Sequence, residues 1–93
     1  MIIHSVLFRL KADADKEAFL KESEAILAPI KFARSFAAYR EISAKNDFEF
    51  AFSFTFDSMD DYAGYNAHPD HQAYLVSHWQ KYVEDFLETD WTV

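Results

Sequence analysis

A strict alternation of phenylalanine with smaller residues is the feature that most limits how this chain can fold. Residues 48–56 read FEFAFSFTF, which places half of the ten phenylalanines at every second position. Successive side chains of a β-strand point to opposite faces, so this spacing predicts a strand with one aromatic face and one small, mildly polar face. Five exposed rings would favour aggregation, and we therefore expect a helical layer to cover them.

The residues before this strand predict a strand, a helix and a second strand. Residues 2–9, IIHSVLFR, are β-rich and apolar on both faces, as in a central strand. Asp13 or Asp15 can cap the helix that follows, and Pro29 predicts that this helix ends near Ala28. Residues 34–43, RSFAAYREIS, predict a second strand that forms a hairpin with the phenylalanine strand.

The residues after the phenylalanine strand predict two helical segments and a last strand. Ser58 followed by Asp61 resembles a capping box, and Pro69 suits the first turn of a helix. The tail LETDWTV predicts a short strand. The order β-α-β-β-α-α-β indicates an α+β fold, a ferredoxin-like four-stranded antiparallel sheet with its helices on one face. We expect one domain over residues 1–93.

Composition excludes several classes of function. The 93 residues carry a net charge of −7, so nucleic acid is not an expected partner. The absence of cysteine excludes disulfides and thiol chemistry. The N-terminus lacks the basic region and cleavage site of a signal peptide, and no apolar run is long enough to span a bilayer. We therefore predict a cytoplasmic protein that does not associate with membranes.

The uncovered face of the predicted sheet carries Ile3 and Leu7 on one strand and Ala51, Ser53 and Thr55 on another. An apolar open sheet face favours packing against a second copy. We expect a homodimer that forms through this face, and 18% aromatic content in so short a chain agrees with shared apolar surface.

Histidines supply the candidate chemistry, at positions 4, 68, 71 and 78. His4 shares a strand face with Val6 and Phe8, and that face points toward the layer that contains His71. Three interpretations are open for His4 and His71: a buried structural pair bonded to each other or to Tyr65, a catalytic or ligand-binding pair, or a metal site. His68 and His71 are spaced to ligate zinc, but the expected capping role of His68 and the lack of a further ligand argue against a metal.

Two segments resemble the stress-responsive dimeric α/β-barrel (Dabb) domain family. They are the N-terminal IIHSVLFRLK and the downstream YNAHPDHQAY. The family pattern is a histidine in the first strand and a His-Pro-x-His box preceded by a tyrosine or another residue; here the box is His68-Pro69-Asp70-His71, with Tyr65 three residues before it. The resemblance covers essentially the whole chain and implies a ferredoxin-like protomer in a dimer whose two sheets form a barrel.

One subgroup of that family, the plant polyketide cyclases, closes linear polyketides by aldol chemistry without a metal or organic cofactor. Its functional residues match His4, Tyr65 and His71 here. The resemblance implies His71 as general base, Tyr65 as hydrogen-bond donor and His4 as an orienting or proton-sharing group. It implies a pocket for a small apolar or aromatic molecule, and five apolar residues are candidates for its wall: Val6, Phe8, Phe52, Phe54 and Trp79.

Two further functions stay open. The protein could bind a ligand or act in stress without turnover, or it could be a cofactor-independent oxygenase like related dimeric barrels. Phe52 and Phe54 could also fill the space that a substrate would occupy, which would favour purely structural histidines. An open pocket beside His71 would favour ligand binding.

Overall fold

The computed structural model describes all 93 residues, and its sheet has the ferredoxin-like strand order predicted from the sequence. The strands are β1 (Ile2–Leu10), β2 (Ala37–Arg40), β3 (Phe50–Phe56) and β4 (Val83–Thr92). The helices are α1 (Lys16–Leu27), α2 (Met59–Ala67), α3 (Pro69–Tyr74) and α4 (Gln80–Tyr82), with a π-helical turn at Leu75–Trp79 between the last two. All pairings are antiparallel in the order β2-β3-β1-β4. The α+β fold is therefore confirmed.

The helix-facing side of the two central strands forms most of the core. Every second residue of β3 is buried, from Phe50 to Phe56, and Phe52 opposes Val6 of β1. Phe8 is completely buried, with ring centroids 4.7 Å from Phe52 and 5.7 Å from Phe19 of α1. The predicted aromatic face and its helical cover are both present. Phe48 precedes β3 and is only partly buried, so the row inside the strand has four rings.

Two strands differ in length from the prediction. β2 is limited to Ala37–Arg40 rather than residues 34–43, because ladder pairing with β3 runs only from Ala37 to Arg40. β4 begins at Val83, well before LETDWTV, and pairs with β1 along its length up to a register shift after Arg9. The strand begins directly after Tyr82 because Val83 already pairs with Leu10 of β1.

Helix boundaries follow the predicted signals. The side chain of Asp15 accepts a hydrogen bond from the Ala18 amide at the start of α1, which ends just before Pro29. Ser58 accepts from the Asp61 amide at the start of α2. His68 caps α3 through Nδ1, which accepts a hydrogen bond from the Asp70 amide at 3.1 Å, and Pro69 occupies the first turn. The predicted capping role of His68 is confirmed.

The opposite side of the sheet carries several apolar side chains and has no covering layer within the chain. Ile3 lies beside Trp91 and Leu7 beside Leu87. Trp91 is 61% exposed and Leu87 51% exposed. None of the helices combines the length and apolar character needed to cross a bilayer.

A buried hydrogen bond joins the helices above the sheet. Ser23 of α1, which is fully buried, lies 2.7 Å from the hydroxyl of Tyr74 in α3. We expect Ser23→Ala and Tyr74→Phe each to reduce the free energy of unfolding by about 1–2 kcal/mol, because each leaves a buried polar group without its partner. The double variant should lose less than the sum of the two in urea unfolding. Strictly additive losses would contradict a stabilising bond.

Candidate functional site

A cavity of about 460 Å³ lies between the sheet and the helices, beside His71. Its sheet wall comes from β1, β3 and β4, and its helix wall comes mainly from the segment after the His-Pro-x-His box. The fifteen lining residues are His4, Val6, Leu27, Phe52, Phe54, Tyr65, Asn66, His71, Gln72, Tyr74, Leu75, Trp79, Gln80, Phe86 and Glu88. The phenylalanine row therefore forms a wall of this cavity without filling it.

His4 enters the cavity from β1 with one ring nitrogen already bonded. Its Nδ1 lies 2.6 Å from Oδ1 of Asp90, the residue opposite it on β4. The hydroxyl of Tyr62 donates to the same Oδ1 at 2.9 Å and lies 2.9 Å from His4 Nδ1. A carboxylate can only accept, so Nδ1 carries the proton and Nε2 of a neutral imidazole is an acceptor. Because no buried polar atom lacks a partner, Nε2 must reach the open volume.

His71 enters the cavity from the first turns of α3. Its Nδ1 lies 3.1 Å from the backbone carbonyl of Asn66 and must donate to it, which leaves Nε2 as a free acceptor. Burial lowers the pKa of His71, and the nearby His4 adds to this effect against the opposing Asn66 carbonyl. The neutral, proton-accepting form of His71 is therefore favoured at neutral pH.

Tyr65 provides a donor beside His71. It is 2% exposed and its ring centroid lies 4.6 Å from that of His71, with Phe54 and Phe56 on its other sides. Burial raises the pKa of Tyr65 well above its usual value, so the hydroxyl stays protonated. The hydroxyl has no hydrogen-bond partner in the protein, and Tyr65 is one of the residues that line the cavity. The three predicted residues thus meet at one cavity.

The apolar candidates divide into two groups. Val6, Phe52, Phe54 and Trp79 line the cavity. Phe8 does not: it is completely buried, and its ring centroid lies 5.1 Å from that of Trp79, which does line the cavity. Phe8 belongs to the core that supports the wall, and the prediction that it contacts a ligand is not retained.

The histidines have hydrogen-bond partners other than the ones expected from the sequence. His4 and His71 bond neither to each other nor to Tyr65, but to Asp90 and the Asn66 carbonyl. His78 faces away from the cavity and bridges helices, with Nε2 3.0 Å from Glu22 of α1. No group of three His, Cys, Asp or Glu side chains is arranged to hold a metal ion.

Sequence reasoning missed several residues of the site. Tyr62 and Asp90 fix the orientation of His4, whereas Asn66, Gln72, Phe86 and Glu88 contribute to the cavity lining. Asp90, Glu88 and Phe86 alternate along β4 opposite His4, Val6 and Phe8. The spacing of two was visible in the sequence, but the register that puts Asp90 opposite His4 was not.

The lowered pKa of His71 predicts a pH dependence of stability. In the unfolded chain this histidine binds a proton near its ordinary pKa of 6.5, whereas the folded protein binds it only at lower pH. The free energy of unfolding should therefore fall as pH drops below about 6.5. The slope should stay below ~1.4 kcal/mol per pH unit, the value expected if the unfolded chain bound one whole proton more than the folded protein. His71→Gln should remove this part of the slope in urea unfolding between pH 7.5 and 5.5. If the free energies of unfolding of wild type and of His71→Gln changed in parallel with pH, the prediction would be wrong.

Solved structures share this architecture. A Dabb family protein from Mesorhizobium loti is 38% identical and superposes with a TM-score of 0.94, over 99% of this chain and 95% of that one. A dimeric protein of unknown function from Bacteroides fragilis is 27% identical, with a TM-score of 0.74 over 99% and 95% of the chains. A hydroxynitrile lyase from Passiflora edulis has the same fold at 13% identity, with a TM-score of 0.85 over 99% and 92%.

The sequence itself matches a family model over nearly its whole length. No curated protein sequence matches the chain. The model for the stress responsive A/B barrel domain, by contrast, matches residues 2–93. That span includes the strand histidine, the tyrosine and the His-Pro-x-His box that first indicated the resemblance. The chain belongs to the stress responsive A/B barrel (Dabb) domain family.

Proposed function

We propose that the protein binds a small aromatic carbonyl compound in this cavity and acts on it by acid–base catalysis without a cofactor. One observation carries the proposal. A neutral imidazole with a free Nε2, His71, lies against a protonated phenol, Tyr65, in the wall of a cavity whose lining is mostly apolar. A base and a donor so close together suit removal of a proton next to a carbonyl.

The proposed reaction needs no outside reactant. Nε2 of His71 takes a proton from the carbon next to the carbonyl, and the electron pair of that C–H bond forms an enolate. Tyr65 donates a hydrogen bond to the enolate oxygen, and His4, which Asp90 holds through Nδ1, can share the transferred proton at Nε2. In a substrate with a second carbonyl, the enolate carbon attacks it, and His71 returns the proton to the new alkoxide. Atoms and electrons balance as in an intramolecular aldol closure.

The experiment uses 2-acetylnaphthalene, an uncharged aromatic ketone with exchangeable methyl protons. We expect it to bind with a dissociation constant in the micromolar to millimolar range by calorimetry. In D₂O the protein should accelerate the replacement of its methyl protons by deuterium, followed by proton NMR, above the rate in buffer. Binding with no acceleration would favour the alternative of a ligand-binding protein without turnover. Absence of binding would overturn the proposal.

We also propose that the protein is a cytoplasmic homodimer that forms through the open sheet face. Leu87 and Trp91 expose half or more of their surface there, and the Bacteroides fragilis relative is described as dimeric. We expect light scattering to give twice the chain mass of 10.9 kDa. Leu87→Glu should give the mass of a single chain. In a symmetric dimer the substitution would place one buried carboxylate from each protomer in the interface, which is unfavourable.

Phe86→Glu is the matched control for the dimer. Phe86 precedes Leu87 on β4, is 48% exposed and points to the cavity side of the sheet. This variant should remain dimeric. A wild-type protein that is monomeric at micromolar concentration, or a dimeric Leu87→Glu variant, would contradict the proposed interface.

A further inference from the structure

The charges around the cavity are unbalanced. Its fifteen lining residues include no lysine and no arginine, and the one carboxylate among them is that of Glu88. The remaining polar side chains are the two histidines, two tyrosines, the amides of Asn66, Gln72 and Gln80, and the indole of Trp79. An anion that enters this cavity would lose its hydration and find no lysine or arginine to pair with.

Glu88 stands on the cavity side of β4, where it opposes Val6. It is exposed, so it lies where the cavity meets solvent. None of the ion pairs in the structure includes it. Its negative charge is therefore not neutralised by a neighbouring side chain, and it acts on any molecule that approaches the opening.

Behind the cavity wall, the group that holds His4 is itself a carboxylate. Asp90 lies behind His4 and carries a second negative charge. The whole chain has a net charge of −7, so the field outside the opening has the same sign as Glu88. Acceptor and donor groups of the site are thus matched to an uncharged carbonyl or hydroxyl group.

We infer that the cavity selects uncharged aromatic ketones and phenols over carboxylates of the same shape, and that Glu88 is a specificity-determining residue that repels those carboxylates. This inference rests on the proposed function and narrows its substrate class. It assigns to Glu88 a role in selection that does not require contact with the reacting atoms. Aromatic acids, which share the ring system of the accepted ligands, would be excluded.

The test compares 2-acetylnaphthalene with 2-naphthoate, which has the same ring system and a carboxylate in place of the methyl ketone. By calorimetry at pH 7.5, wild-type protein should bind the ketone at least about tenfold more tightly. Glu88→Gln should tighten binding of naphthoate about three- to tenfold and change binding of the uncharged ketone by a much smaller factor. Added NaCl should tighten binding of naphthoate to wild type more than to the variant.

Glu84→Gln is the control. Glu84 lies on the same strand and its substitution changes the net charge equally, but it does not line the cavity. This variant should keep the wild-type preference. Equal affinity of wild type for the two compounds, or equal effects of the two substitutions, would overturn the role of Glu88 while the proposed function stands. Binding of neither compound would overturn both.

Discussion

Phe8→Ala should lower the free energy of unfolding by about 3–5 kcal/mol, the cost of replacing a buried phenylalanine and leaving a cavity. Phe8 is completely buried, and its ring is in contact with those of Phe19, Phe50, Phe52 and Trp79. These neighbours belong to strand β3 and two helical segments, so no single element can relax into the space. A domain of this size has a total stability of roughly 5–14 kcal/mol, so the loss is a large part of it.

Urea unfolding at a fixed protein concentration measures this effect, because dimer formation would make the midpoint depend on concentration. The Tm should fall by at least about 12 °C. Phe86→Ala is the control, since Phe86 is 48% exposed on the edge strand β4 and should cost about 1 kcal/mol or less. A Phe8→Ala protein that unfolds within 1 kcal/mol of wild type would contradict the central position of this ring.

His71→Gln should abolish the acceleration of deuterium exchange into 2-acetylnaphthalene, a loss of about 10²–10⁴ if His71 is the general base. Glutamine keeps a side-chain donor that can reach the Asn66 carbonyl but cannot accept a proton at neutral pH. Because His71 is only partly buried, the thermal midpoint at pH 7.5 should change little. Tyr65→Phe should slow exchange by about 10²–10³ through loss of the hydrogen bond to the enolate oxygen.

His78→Gln is the matched control, since it removes an imidazole from the same helical stretch but outside the cavity. It should leave exchange at the wild-type rate, even if loss of the contact with Glu22 lowers stability slightly. A large loss of stability in His71→Gln with no exchange activity to lose in wild type would assign His71 a structural role. Equal losses of exchange in the two variants would show that the assay does not report on the cavity.

Local sequence signals were enough for much of the fold. The alternation of phenylalanine in 48–56 fixes a strand because only a period of two keeps those rings on one face. Helix starts are marked by Asp15, Ser58 and His68, because their side chains accept hydrogen bonds from backbone amides of the first turn. Pro69 also marks a helix start, because an amide in the first turn has no partner within the helix and proline has none to satisfy. Such effects act within a few residues, so they can be predicted without knowledge of the rest of the chain.

The sequence by itself determined the order of elements, the buried face of the phenylalanine strand and the three residue types of the proposed chemistry. Only the tertiary structure decided that Asp90 and Tyr62 hold His4, that Phe8 lies behind the cavity wall and that Glu88 stands at its opening. The physical reason is distance along the chain. His4 and Asp90 are brought together by the register of two strands from opposite ends of the polypeptide, and register is set by the packing of the whole sheet.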